Sequence, residues 1–265
     1  VKEDEILTAV TTSIADEDGL TTFSYQWKRD ELDITGATSA TYTLVQADVG
    51  KKITVTVSYT DGKDTSESLT SNETIDVVNV NDPLTGTVTI SGTVKEDEIL
   101  TAVTSDLSDE DGFASFSYQW KRGEVEITGA TSATYLLVQA DVGNNIKVTV
   151  FYTDLYGNTG NKTSDFTINV VNVDDVLTGS VTISGTPTQG EVLTAVTTSI
   201  ADEDGLTTFS YQWKRGGSDI SGATSSTYLL TQEDVGNQIT VTASYTDGEG
   251  AAESTTSNPT DEVAN

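Results

Sequence analysis

The side chains best placed for chemistry in this sequence are aspartates set two apart on a turn that ends in glycine. They are Asp16 and Asp18 before Gly19, Asp109 and Asp111 before Gly112, and Asp202 and Asp204 before Gly205. Two carboxylates so spaced present oxygens to one point, and glycine permits the tight backbone there. That suits oxygen ligation of a hard divalent cation. Taken alone, Asp-x-Asp-Gly lacks the full calcium-loop signature and reads first as an ordinary solvated turn. Each turn leads into a strand. In the run from Ser115 to Arg122, Phe116, Tyr118 and Trp120 alternate with Ser117, Gln119 and Lys121, the period of two that sends aromatics to one face and polar groups to the other. One end of the stretch can hold a cation while the other anchors a core.

The elements that position these turns recur. Trp27, Trp120 and Trp213 are 93 residues apart, so the chain is three copies of one unit. That period is too long for a solenoid repeat and suits a self-contained domain. The units are expected at 1–81, 82–174 and 175–265. The first begins at Val1-Lys2-Glu3-Asp4-Glu5, which matches Val94 onward, and therefore lacks the strand equivalent to Thr87–Gly92. The whole is expected to be a segment of a longer array.

Composition removes most enzyme chemistry. There is no Cys, His or Met, which excludes disulfides, thiolate and imidazole metal sites, and Cys- or His-based nucleophilic catalysis. Asp and Glu number 42 against 13 Lys and Arg, a net charge of −29 that repels nucleic acid and anionic membranes. No run approaches the roughly 18 apolar residues of a membrane span, and no charged-then-apolar signal segment opens the chain. A soluble chain is expected, with any export signal outside it.

In the second unit, alternation and turn signals predict strands near 87–91, 97–104, 115–121, 133–138, 145–153 and 163–172, with no helix needed. Short strands at this spacing, separated by Gly-rich turns, predict an all-β fold of tandem β-sandwich domains. The three Trp side chains are expected in the cores, Lys-Arg after each Trp at a solvated strand end, and Asp48, Asp141 and Asp234 bonded to backbone at a corner. The order of signals, with Trp on a central strand and Ala140-Asp141-Val142-Gly143 before a core strand, resembles the immunoglobulin-like fold. The disulfide of that fold is missing and the Tyr is displaced.

Asn79-Val80-Asn81-Asp82-Pro83 resembles the Asp-x-Asn-Asp-Asn linker of cadherins, whose carboxylate and amide or backbone oxygens bind calcium between domains. Asn172-Val173-Asp174-Asp175 repeats it. Asn79 stands where the family has its first Asp, and Val176 where it has Pro. In an immunoglobulin-like sandwich the loop after the second strand and the loop before the last lie beside the incoming linker. Three acidic segments therefore converge. At the first junction the expected ligands are Asn79, Asn81 and Asp82 with Asp109, Asp111 and Asp154; at the second, Asn172, Asp174 and Asp175 with Asp202, Asp204 and Asp247. Calcium takes six to eight such oxygens with tolerant geometry, and magnesium, which needs a stricter octahedron, ranks second. Glu3 and Glu5, and Glu96 and Glu98, sit on a turn at the opposite end of their unit and are secondary candidates for the following junction; the third unit has Thr188-Gln189-Gly190-Glu191 there. Leu155 and Tyr156 replace the Asp-Gly hairpin chemistry of the other copies. They are expected to pad the first junction, with a contact surface as the other reading.

The phrases Ile127–Tyr135 and Val138–Gly143, with Ser117-Tyr118-Gln119-Trp120 before them, resemble repeats of very large bacterial surface proteins, including RTX-type adhesins. The resemblance implies an extracellular extender that holds an adhesive tip away from the cell. Its expected partners are calcium ions and neighbouring repeats of the same chain, with no nucleic acid, no membrane insertion and a monomeric state. At a strand rise of about 3.3 Å per residue, each domain adds roughly 40 Å of reach. A direct glycan- or protein-binding module is the alternative and would vary at its loop tips. An enzyme is the weakest reading, since a carboxylate pair for glycoside hydrolysis needs one cleft and two unlike environments.

Overall fold

The computed structural model describes all 265 residues, Val1 to Asn265. The chain is all-β, with a three-residue 3-10 turn in each unit as its one helical feature. In the second unit one sheet is three-stranded, with Ile99–Val103 between Thr89–Ser91 and Thr134–Leu136. The facing sheet is four-stranded, in the order Val125–Glu126, Ser115–Arg122, Ile146–Thr153, Thr159–Thr163. All these pairings are antiparallel, and the third unit repeats the plan. The result is a tandem β-sandwich.

Alternation along Ile146–Thr153 does what its period requires. Ile146, Val148 and Val150 enter the core, and Phe151 faces out. Opposite them, Trp120 pairs with Val148 and Tyr118 with Val150. Trp120 is fully buried, its indole N–H donates to the Ser132 carbonyl at 2.9 Å, and its ring stacks on Tyr135 at 5.7 Å. About 200 Å² of aromatic surface removed from water contributes roughly 5 kcal/mol at ~25 cal/mol per Å². The satisfied N–H removes the usual penalty of burying that group. Trp27 and Trp213 make the same contacts in their own units.

The structure departs from the predicted strands in three places. The last strand is Thr159–Thr163 rather than 163–172. The hairpin loop is short, Asp154 to Asn158, so pairing resumes with Thr159 opposite Thr153, on a polar run that carries no hydrophobic alternation. Beyond it the chain leaves the regular ladder: the Ser164 and Thr167 hydroxyls accept from the Val148 and Ile146 amides, and Val170 bridges to Val142 in parallel. A two-residue strand, Val125–Glu126, was too short to leave a periodic signal.

The third departure is at the corner. Gln139–Asp141 forms the 3-10 turn, and Asp141 is fully buried. One of its oxygens accepts from the Val138 amide and the Tyr135 hydroxyl, as expected for a backbone-bonding corner, but the other accepts from Arg122 at 2.8 Å. Lys121 lies near Glu126, its side chain covered to a similar degree as that of Arg122. Arg122, the last residue of its strand, is long enough to turn in to the corner. Asp48 and Asp234 are held in the same way by Arg29 with Tyr42 and by Arg215 with Tyr228. Burial alone would raise the Asp234 carboxyl, but its bonds to Thr231, Arg215 and Tyr228 outweigh burial and hold it below its ordinary value.

In the first unit, Ile6–Thr8 pairs only with Thr41–Thr43, leaving one edge open. A groove of about 420 Å³, lined by Leu7, Ala9, Ile14, Trp27, Val55 and Leu69 among others, lies on that side of the core. The other units pack Val88 and Val181, each immediately before the additional strand, and their buried clusters hold 10 and 11 residues against 6. Full burial of one such valine is worth about 1.5–3 kcal/mol. The first unit should therefore unfold in a separate, lower-temperature step, with weaker hydrogen-exchange protection at Leu7–Val10 than at Leu100–Val103. Equal protection at the two segments would contradict this.

Candidate metal centres

Each junction is assembled by backbone that changes allegiance within two residues. At the first, the Val80 amide faces the Glu3 carboxylate of the first unit at 3.4 Å, while the Asp82 amide donates to Asp111 of the second at 2.9 Å. At the second, the Val173 amide faces Glu96 at 3.3 Å, and the Asp175 amide donates to Asp204 at 2.7 Å. The linker is thus strapped to carboxylates on both sides.

The acidic turns are built as their spacing requires. One oxygen of Asp109 accepts from the Asp111 amide at 3.0 Å, and one of Asp202 from the Asp204 amide at 2.9 Å, which fixes the second aspartate of each pair. The hairpin loop lies directly on this turn. In the third unit the Gly248 amide donates to the Asp204 carbonyl at 3.0 Å, and a Cβ at Gly248 would sit 2.5 Å from that oxygen. In the second unit Leu155 occupies this place, and the corresponding contact lengthens to 3.4 Å.

Three groups of carboxylates converge across the junctions: Glu3, Asp82 and Asp111 at the first; Glu96, Asp175 and Asp204, and Asp174, Asp204 and Asp247, at the second. Within each group, one oxygen per residue lies within 4.8 Å of the others. Ligands of one calcium ion, each about 2.4 Å from it, cannot be more than about 4.8 Å apart, and each group meets that condition. Glu3, Glu96, Asp111, Asp204 and Asp247 are buried, and none of the acids in these groups takes part in an ion pair with lysine or arginine. Buried oxygens without donors lie among the same segments: one each on Asp109, Gln139, Asn172 and Asp247. Acceptors that are buried, crowded and lack protons to accept are what a cation would satisfy.

The remaining candidates fall elsewhere. Asp202 spends its second oxygen on the Tyr245 hydroxyl. Both oxygens of Asp154 are taken within its own hairpin, by the Tyr156 and Asn158 amides and the Asn158 side chain. Asn81 is exposed and turns its amide to the Asp82 carbonyl. Glu5 folds back on the Lys2 amide, and Glu98 is exposed.

Glu3 and Glu96 do reach the following junction, because their turn packs beside the exit of the last segment: Lys2 bridges Val78, and Lys95 bridges Val171. Two glutamines were not among the sequence candidates. Gln139 donates to Asp204 at 3.1 Å across the second junction. The Gln46 amide, in the orientation that satisfies both its ends, donates to both Glu3 oxygens at 2.8 and 2.9 Å and to Asn79 at 3.3 Å. Its oxygen then faces the Tyr156 hydroxyl at 3.3 Å, so Tyr156 pads the first junction against the preceding unit. The recurrence of Gln at 46, 139 and 232 was the available signal, and the structural aspartate two residues later concealed it.

Crowding alters the carboxyls themselves. Burial first, and then the charges of Asp82, Asp4 and Asp111, push Glu3 above its ordinary 4.5, against the lowering effect of the Val80 amide. Asp82, Glu96 and Asp175 are raised too, in each case by burial first and then by neighbouring acids.

No protein-family model matches the sequence, and no curated protein matches it. Among solved structures, the ICAM-5 D1–D4 ectodomain fragment aligns over 100% of this chain and 73% of its own, at 12% identity and a TM-score of 0.36. A Ca2+-stabilised adhesin with which an Antarctic bacterium binds ice aligns over 92% of this chain and 65% of its own, at 11% identity and a TM-score of 0.31. A 1.5-MDa bacterial ice-binding adhesin aligns over 92% and 87%, at 12% identity and 0.29. At these scores the likenesses carry no argument about what this chain does.

The raised carboxyls set a direction for pH. A carboxyl whose value is higher in the closed junction binds its proton more tightly there, so closure is favoured below that value and weakened as pH rises through it. In chelator, protection factors of the Asp82 and Asp175 amides should therefore fall from the ordinary carboxylate range, 3.8 to 4.5, toward neutrality. A rise over the same interval would contradict the crowding of these groups.

Proposed function

We propose that the chain is an extender segment of a bacterial cell-surface adhesin, divided at 1–81, 82–174 and 175–265, whose joints are closed by calcium. The single observation that carries this reading is the make-up of each junction: one carboxylate from the unit before, one from the linker and one from the unit after, within reach of one ion and without a basic partner. The adhesin part rests on the repeat phrases around Trp120 and Asp141, and the extracellular setting follows from it. Aspartate, glutamate and amide oxygens favour calcium over softer metals, and the uneven loop geometry favours it over magnesium.

The mechanism is charge neutralisation. Without a cation, Glu3, Asp82 and Asp111 repel, and the linker keeps its conformational freedom. With one, ligands from two units share an ion, which fixes the angle and removes linker entropy. Calcium that binds only the closed state at about 100 times its Kd stabilises that state by about 2.7 kcal/mol. Direct recognition of a glycan or protein would rest on the divergent tip at Leu155 and Tyr156, and Gln46 already engages the Tyr156 hydroxyl.

Small-angle scattering of the whole chain tests the reading. The maximum dimension and stiffness should rise in calcium and fall in chelator, and Asp204→Asn should abolish the response of the second junction while the first still responds. An unchanged dimension in wild type would overturn the proposal.

A further inference from the structure

The two junctions are built from equivalent positions but are not equivalent. Resting on the calcium reading above, we propose that they hold unequal numbers of ions: two at the second, bridged by Asp204, and one at the first. At the second junction two groups overlap, Glu96 with Asp175 and Asp174 with Asp247, and Asp204 belongs to both. Each Asp204 oxygen takes a single donor, the Asp175 amide on one and the Gln139 side chain on the other, which leaves both with lone pairs free for a cation.

The observation that points to a ligand is Asp247. It is 4% exposed, and one of its oxygens is pinned by the amides of Glu249, Gly250 and Ala251 at 2.9, 2.6 and 2.9 Å. The other is buried with no donor at all. A carboxylate held rigidly by one oxygen, with the other left bare among acids, is preorganised to bind a cation.

The first junction has lost this second site through two substitutions. Asn158 stands where the third unit has Ala251, and its amide donates to the Asp154 oxygen equivalent to the bare one, at 2.8 Å. Asn81 stands where the second linker has Asp174, and it turns away to the Asp82 carbonyl. Asp109 keeps a bare oxygen there but belongs to no group of three carboxylates. The grouped carboxylates number five at the second junction and three at the first. Because affinity follows ligand charge and rigidity, the second junction fills at lower calcium, and the array stiffens in two steps.

Anomalous scattering from crystals grown in calcium, with equilibrium dialysis of variants of the full chain, tests this. The expected result is two ion peaks at the second junction and one at the first. Asp247→Asn, which keeps the oxygen that accepts the three amides, should lose one bound ion, whereas Asp154→Asn should lose none. Asn81→Asp combined with Asn158→Ala should gain one. One peak at each junction, or two at each, would overturn the inequality and leave the calcium clamp standing. Peaks at neither would overturn both.

Discussion

Carboxylates forced together without a counter-charge are the constraint on which the rest of this molecule depends. The same residue type is treated in two opposite ways within one unit. Asp48, Asp141 and Asp234 are fully buried, yet each is matched by an arginine, a tyrosine hydroxyl and a backbone amide. Those aspartates are finished parts of the fold. Asp111 and Asp204 are buried too but face other acids and receive only amide donors. In the first unit the equivalent Asp18 pairs with Lys63, a cation supplied by the chain itself. At the junctions the positions of Lys63 are taken by Tyr156 and Glu249, so no lysine of the chain fills that role.

The sandwich makes such crowding possible because it holds the acids from the backbone outward. At the second junction the hairpin loop is pressed onto the acidic turn by a carbonyl contact too close for a Cβ, at Gly248, while at the first Leu155 makes the same contact at 3.4 Å. On the other side, the Glu3 and Glu96 turns are tied to the outgoing chain by parallel bridges. Relaxation by moving a side chain is therefore limited. What can move is the linker between Val80 and Asp82, or between Val173 and Asp175, and this is where the strain of like charges would be released. The cores below, anchored by Trp27, Trp120 and Trp213, contain none of these acids, so on the proposed reading loss of a cation loosens the string without unfolding the beads.

Much of this was legible in the sequence. The spacing of the three Trp residues and the alternation around them indicate the sandwich, since core-facing strands carry a period of two. The final strand was misplaced because Thr159–Thr163 is polar on both faces and is defined by its turn and not by its side chains. Local pattern does not show that Arg122 reaches a buried aspartate, because that partner lies 19 residues away in sequence. The convergence of Asp82 with Asp111, and of Asp174 and Asp175 with Asp204 and Asp247, was expected from the ends at which loops lie. Glu3 and Glu96 were only secondary candidates because the third unit has Gln189 at that position, and Gln46 and Gln139 were hidden inside a corner that reads as structural. Asp154 and Asp202 share their motif with true members of the groups, and only the positions of Asn158 and Tyr245 separate them.

The most direct test of the central claim is the spread of distances across one junction. The chain has no cysteine, so thiols introduced at the exposed Ser132 and Ser225 would carry spin labels on either side of the second junction without competing sites. A single narrow distance distribution in calcium that broadens in chelator is the expected result. Distributions of equal width in both conditions would contradict the claim that a cation holds these units in line.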